Sequence, residues 1–194
     1  MANTSTPNTN KVEFGISNLW AGTYSESGGT ATLGTPLRMP GARSLTLDAE
    51  TSENKFYADD VVYWADYTDN GFKGDLTVAI FGDDFKTTFL GYVELADGGF
   101  ADIKGATKPA AYLMFEGKGD AKKRRFILLN VKFGSISREY KTVEENKEPV
   151  EEKIPVTVLG SNITGITRVA YTQGASGYSG LCTSTAPTAP VLPE

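Results

Sequence analysis

Short apolar runs separated by turn residues recur along most of the chain, with the two-residue period of strands rather than the 3.6-residue period of helices. In "SLTLDAE" (residues 44–50), Leu45 and Leu47 alternate with polar neighbours. "AAYLMFEG" (110–117) and "RRFILLNVKFG" (124–134) are two further strands, and the charged, Gly-containing "EGKGDAKK" between them predicts a hairpin connection. "EEKIPVTVLG" (151–160) reads as a strand in which Pro155 favours an edge position, and "REYKTVE" (138–144) is strand-like before a charged connector. One segment departs from the period of two. Phe85, Phe89 and Tyr92 stand at i, i+4 and i+7, with Leu95 close to the same stripe. This spacing predicts an amphipathic helix of about three turns over about 84–96. Asp83 or Asp84 would cap it, Gly98 and Gly99 would end it, and Gly91 is a weak helix former inside it.

The stretch "FYADDVVYWADYTDNGFKGD" (56–75) contains Asn70-Gly71, the dipeptide best suited to a two-residue type I′ hairpin turn. That turn would set Asp66 opposite Asp75 and Trp64 opposite Thr77. One face of the ribbon would then carry Val61, Tyr63, Ala65 and Tyr67 with Gly74, Leu76, Val78 and Ile80, an apolar face for the core. The other would group Asp60, Asp66 and Asp75 with Val62 and Trp64. Asp59 and Asp60 would point to opposite sides, which argues against a shared proton or metal.

Composition narrows the chemistry. The chain has 194 residues, 40% of them hydrophobic, enough for one domain with a core. It has no histidine, which removes Ser-His-Asp and Cys-His catalysis and imidazole-ligated zinc. Cys182 is the single cysteine, so the chain forms no internal disulfide. A net charge of −5 argues against a broad basic face for nucleic acid. No apolar run approaches the length of a membrane span, and the first ten residues have neither the basic nor the hydrophobic region of a signal peptide. They read as a flexible arm. The Gly/Ser/Thr/Pro-rich residues 168–194 read as a linker, an arm or a disordered tail.

Three clusters invite sharper readings. Asp66, Thr68, Asn70 and Gly71 imitate the start of a calcium-binding loop, but its twelfth position, where a bidentate Glu is required, is Thr77. The many acids supply carboxylate pairs of the kind a glycosidase uses, yet nothing in the sequence singles one out. Lys118, Lys122, Lys123, Arg124 and Arg125 form a basic run. Glu144, Glu145, Glu148, Glu151 and Glu152 crowd an acidic connector. Beside the ordinary reading of solvated surface stands a contact between identical subunits, basic run against acidic connector. Charge is also uneven: residues 59–102 hold ten acids and two lysines, a net of −8, leaving +3 for the rest of the chain.

The order of "KVEFGISNLWAGTYSE", "GARSLTLDAET", "KFYADDVVYWADYTDNGFKGDLTVAIFGDDFKTTFLGY" and "IPVTVLGS" resembles the major tail proteins, or tail tube proteins, of long-tailed phages of Gram-positive bacteria. The resemblance runs over residues 11–167. It implies a β-sandwich or partly closed barrel with one flanking helix, and homo-oligomeric, hexameric rings that stack into a tube. A tape measure protein would fill the lumen before DNA passes through it. It further implies a virion protein assembled in the host cytoplasm, with no catalysis, no cofactor and no membrane. Asp60, Asp66 and Asp75 become candidate lumen-facing acids, and the basic run and acidic connector candidate ring-ring or subunit contacts. Two alternatives stay open: another virion protein such as a capsid decoration protein, and a carbohydrate-binding β-sandwich using Tyr57, Tyr63, Trp64 and Tyr67.

Overall fold

The computed structural model describes residues 15–140 and 150–193. The chain runs through β1 (Ile16–Ser27), β2 (Thr30–Leu33), β3 (Leu37–Arg38), β4 (Ala42–Leu45), β5 (Asp48–Ala58) and β6 (Val61–Val78). The helix α1 (Asp83–Leu90) and the short strands β7 (Val93–Glu94) and β8 (Phe100–Ala101) follow. The chain continues with β9 (Ala111–Gly117), β10 (Arg125–Phe133), β11 (Ser137–Arg138), β12 (Glu152–Val158) and β13 (Arg168–Tyr171). The fold is mainly β with one flanking helix, as the sequence suggests.

Eleven strands form one sheet whose main path is β2-β1-β9-β10-β12-β6-β4. The sheet curls until β4 packs beside β1, but no hydrogen-bonded pairing joins these ends among the described residues, so the barrel stays open. The predicted hairpin of β9 and β10 is present, with Phe126 opposite Phe115 and Leu128 opposite Leu113. Between Leu128 and Val131 the bulge leaves Asn130 in a left-handed conformation, its side chain donating to Gly160 O at 2.9 Å.

The central strands are buried on both sides. Ala111, Leu113, Leu128 and Phe133 face one apolar cluster with Leu76, Val78, Ile154, Val156 and the helix. Tyr112, Met114, Ile127 and Leu129 face a second cluster closed by Tyr24, Leu33, Leu181 and Cys182. Residues 168–193 therefore begin as a strand paired with β10 and go on to cover its second face.

The helix is shorter than its stripe suggests. Phe85 and Phe89 are buried as expected, and Phe85 stacks on Phe81 with ring centres 4.8 Å apart and meets Phe133 edge to face with ring centres 5.1 Å apart. Gly91 ends α1 at φ 74°, so it is the terminator rather than an interior residue. Beyond it Tyr92 is half-buried and Leu95 is exposed beside β7. Gly82, not an aspartate, takes the N-cap position and makes no side-chain cap; Asp83 and Asp84 fall in the first turn.

β12 is not an edge strand. It lies between β6 and β10. Pro155 is tolerated because its carbonyl faces Gly134, whose N–H donates to it at 2.8 Å, where β10 has already ended. The N–H that proline lacks would point the same way, at a break in the ladder. Of the strand-like run at 138–144, Arg138 ends β11, Glu139 and Tyr140 lie beyond it, and residues 141–149 lie outside the described residues.

Candidate functional site

The outer halves of β5 and β6 form a two-stranded ribbon that leaves the body. Asp59 and Asp60 make its turn, both left-handed at φ 51° and 60°, the conformation a type I′ turn requires. Asn70-Gly71 is therefore not the turn, and the expected opposition of Asp66 to Asp75 does not occur. Asp66 faces Asn54, and Asp75 faces Pro155 on β12. The dipeptide serves a different purpose. Pairing passes from Ala49–Phe72 to Thr51–Asp69, which leaves one extra residue on β6, a bulge at the base of the ribbon. Gly71 has φ 97°, and a Cβ there would lie 2.1 Å from Val158 O, so only glycine fits the crossing. Asp69 accepts the Gly71 N–H at 3.0 Å, and Asn70 donates to Ser52 Oγ at 3.1 Å.

The predicted core face splits at this joint. Leu76 and Val78 are buried, while Val61, Tyr63, Tyr67 and Ile80 are exposed, Tyr63 at 75% and Tyr67 at 68%. From Thr51 to Asn70 no residue is buried, because among the described residues β5 pairs only with β6 and none covers either face. A second bulge occurs where Phe56 faces Trp64 and Tyr57 faces Val62, leaving Tyr63 as the extra residue. Cross-strand partners share a face. One face therefore carries Ser52, Asn54, Asp66 and Thr68 near the base and Phe56, Trp64 and Val61 toward the tip. The opposite face carries Glu53, Lys55, Tyr57, Val62, Ala65 and Tyr67. There Glu53 pairs with Lys55 at 2.9 Å and accepts from Tyr67 at 2.7 Å. The Tyr67 hydrogen bond, then Lys55, holds the Glu53 carboxyl below its usual range.

The three candidate lumen acids are not brought together. Asp60 is at the tip and Asp66 is six residues along β6 from it. Asp75 is on the body, paired with Lys153 at 2.9 Å.

The basic run divides into two kinds of residue. Asp120 is buried in the β9–β10 turn and accepts from Lys122 N at 2.9 Å, Arg124 N at 3.1 Å and Arg124 Nε at 2.6 Å. Burial works to raise its pKa, but Arg124 and these backbone donors outweigh it and hold the carboxyl low. Arg125 binds Glu116 at 2.7 Å, donates to Leu181 O at 2.8 Å and lies 4.3 Å from the Tyr178 ring centre, pinning the C-terminal segment. Lys118, Lys122 and Lys123 remain on the surface. Within the acidic set, Glu144, Glu145 and Glu148 lie outside the described residues. Glu151 pairs with Arg43. Glu152 is buried, accepting Phe81 N at 2.7 Å and Arg138 Nη1 at 3.2 Å, a structural role that burial hides from sequence.

One cluster carried no signal in the sequence. Glu26 accepts from Tyr24 at 2.5 Å, Ser161 Oγ at 2.8 Å, Asn162 N at 2.9 Å and Asn162 Nδ2 at 2.7 Å. Burial tends to raise its pKa, and these donors together hold it at about 2. It fastens the loop after β12 to β1.

No protein-family model and no curated protein matches the chain. Among solved structures, a tube-terminating cap of the anti-feeding prophage is similar at TM-score 0.45 and 11% identity, covering 87% of this chain and 99% of that one. The sheath/tube terminator of an extracellular contractile injection system, PVC, in its extended state is similar at TM-score 0.40 and 11% identity, covering 83% and 99%. A chain of the extended PVC sheath-tube complex is similar at TM-score 0.43 and 9% identity, covering 89% and 99%. Likenesses this distant carry no weight for function.

Proposed function

We propose that the chain is a structural subunit of a phage-type tail tube, whose copies join in six-membered rings that stack end to end. The observation that supports this is the ribbon. An isolated two-stranded ribbon is marginal in water. This one exposes Phe56, Val61 and Trp64 on one face and Tyr57, Val62 and Tyr67 on the other, apolar side chains that a partner would cover. Among the described residues the outer edge of β5 is also unpaired, and a neighbour's strand would satisfy its backbone groups. The charged tip at Asp59 and Asp60 limits indiscriminate pairing.

In this reading the polar half of the ribbon, with Asp66, faces the lumen, and Asp60 and Asp75 flank it. Carboxylates there repel the phosphate backbone, so DNA slides without adhering. Toward the tip the same face turns apolar, and Phe56, Val61 and Trp64 meet the adjacent subunit. A tape measure protein would occupy the lumen before DNA, and the chain would be assembled in the host cytoplasm into the virion tail. The role needs no catalytic group. The carbohydrate-binding alternative is less well served, because the register puts Trp64 on one face and Tyr57 and Tyr67 on the other, with no single platform. Negative-stain microscopy of concentrated protein tests the proposal. Six-fold rings or tubes are expected, and an assembled structure with Asp66 on the outer wall would overturn the lumen assignment.

A further inference from the structure

The body has two ends of opposite charge. At one end residues 116–125 hold five cations and two carboxylates, a net of +3. Both carboxylates are committed internally, Glu116 to Arg125 and Asp120 to Arg124. The positive charge left over is that of Lys118, Lys122 and Lys123. Lys118 and Lys123 border an open recess between the β9–β10 turn and the C-terminal segment, with Gln173 and Tyr178 on its far side.

The other end lies at the far end of β10, about 26 Å away at the rise of a strand. There Phe133 packs under α1, and Lys108 reaches Gly134 O at 2.5 Å, which ties the segment after β8 to the same end. Residues 83–104 hold five acids and two lysines, a net of −3. Asp83, Asp84, Glu94 and Asp97 are exposed. Of the cations nearby, Arg138 pairs with Glu152, Arg43 with Glu151 and Lys153 with Asp75, Lys86 reaches Asp83 at 3.4 Å, and Lys132 stands exposed on β10.

Because the two patches sit at opposite ends of one strand, they cannot meet within a chain. We propose that the basic end of one copy docks on the acidic end of the next, a head-to-tail contact distinct from the ribbon. A contact between two different surfaces does not close on itself, so it propagates a stack. Opposed charge sets its direction and disfavours tail-to-tail pairing. The inference rests on the tube reading only for what the stack builds; the contact itself requires no ring.

The test is sedimentation velocity of the full chain at about 50 mM and about 500 mM NaCl, since exposed pairs are screened at high salt. Self-association should weaken by about tenfold or more across that range. One variant carries Lys118→Glu, Lys122→Glu and Lys123→Glu, and a second carries Asp83→Lys, Asp84→Lys and Asp97→Lys. Each alone should lose end-to-end association at low salt, and an equimolar mixture should regain it. Circular dichroism verifies folding, and Lys→Gln versions provide a milder pair. Association of either reversed variant at wild-type strength, or a mixture that fails to associate, overturns the proposal. So does a wild type whose basic end binds labelled single-stranded DNA while reversal leaves self-association unchanged. Salt-sensitive head-to-tail pairs without rings would refute the tube reading and keep this contact. Rings and tubes indifferent to salt and to reversal would do the opposite.

Discussion

In the body, Tyr112, Met114, Ile127 and Leu129 point to one side of the central strands and Leu113 and Leu128 to the other, and all are sealed from water. In the ribbon, Phe56 and Trp64 lie on one face and Tyr57 and Tyr67 on the other, and all stand in solvent. Alternation is common to both regions; a covering layer is not. The body's strands are covered by α1 on one face and by the C-terminal segment on the other, whereas among the described residues no element covers the ribbon. Apolar residues in the first setting hold the monomer together. In the second they contribute little until another molecule arrives.

Truncations in the body have the largest expected effects. Phe85→Ala removes a ring packed against Phe81, Phe89 and Phe133, and should cost about 3–5 kcal/mol. Leu128→Ala should cost about 2–5 kcal/mol, both measured by urea unfolding. At the joint, Gly71→Val forces a Cβ against Val158 O in a left-handed conformation, with an expected loss of about 1–3 kcal/mol. A loss at Gly71 as small as that of a ribbon surface substitution would show that the crossing is not tight.

Next in size is the release of the C-terminal segment. Burial pushes the Cys182 thiol up to about 12, Glu116 adds to this, and Arg125 opposes it. Arg125→Met should speed labelling by a thiol reagent by about tenfold or more, because undocking restores an ordinary, accessible thiol. Were the segment to stay docked, loss of the cation would slow labelling instead.

Glu26 sharpens the polar side of the body. Its folded pKa of about 2 lies below the ordinary 4.5. Its contribution is therefore complete above about 4.5 and is lost as pH falls toward 2. The stability difference between wild type and Glu26→Gln should shrink over that window. A difference independent of pH there would show that the carboxylate is not what fastens the loop. The smallest effect on the monomer belongs to the ribbon. Phe56→Ser with Trp64→Ser should change unfolding by about 0.5 kcal/mol or less, as at other exposed positions.

Much of the body was legible in the sequence, and the ribbon was legible only in part. The period of two and the charged connection gave β9 and β10, and the Phe85–Phe89 spacing gave the helix. The helix end is not legible because a hydrophobic stripe continues past Gly91, while the left-handed cap there is a backbone property. Asn70-Gly71 misled because the same dipeptide suits a turn and a bulge. What decides between them is the distance to Val158, set by a strand more than eighty residues away. A turn at Asn70-Gly71 would make Val61, Tyr63 and Tyr67 core, and periodicity by itself cannot tell a covered face from an uncovered one. Among the candidate contacts, Arg124, Arg125 and Glu152 carry the same charges as their exposed neighbours. Only Asp120, Tyr178 and Phe81 reveal that they serve the fold.

The central claim is that the ribbon is an assembly surface on a self-sufficient body. Sedimentation velocity of the wild type and the Phe56→Ser/Trp64→Ser variant, at equal concentration and salt, tests it most directly. The account predicts large assemblies for the wild type, and for the variant a loss of lateral association with an unaltered unfolding midpoint. Assemblies of equal size in both proteins, or a variant that unfolds like a core mutant, would contradict it.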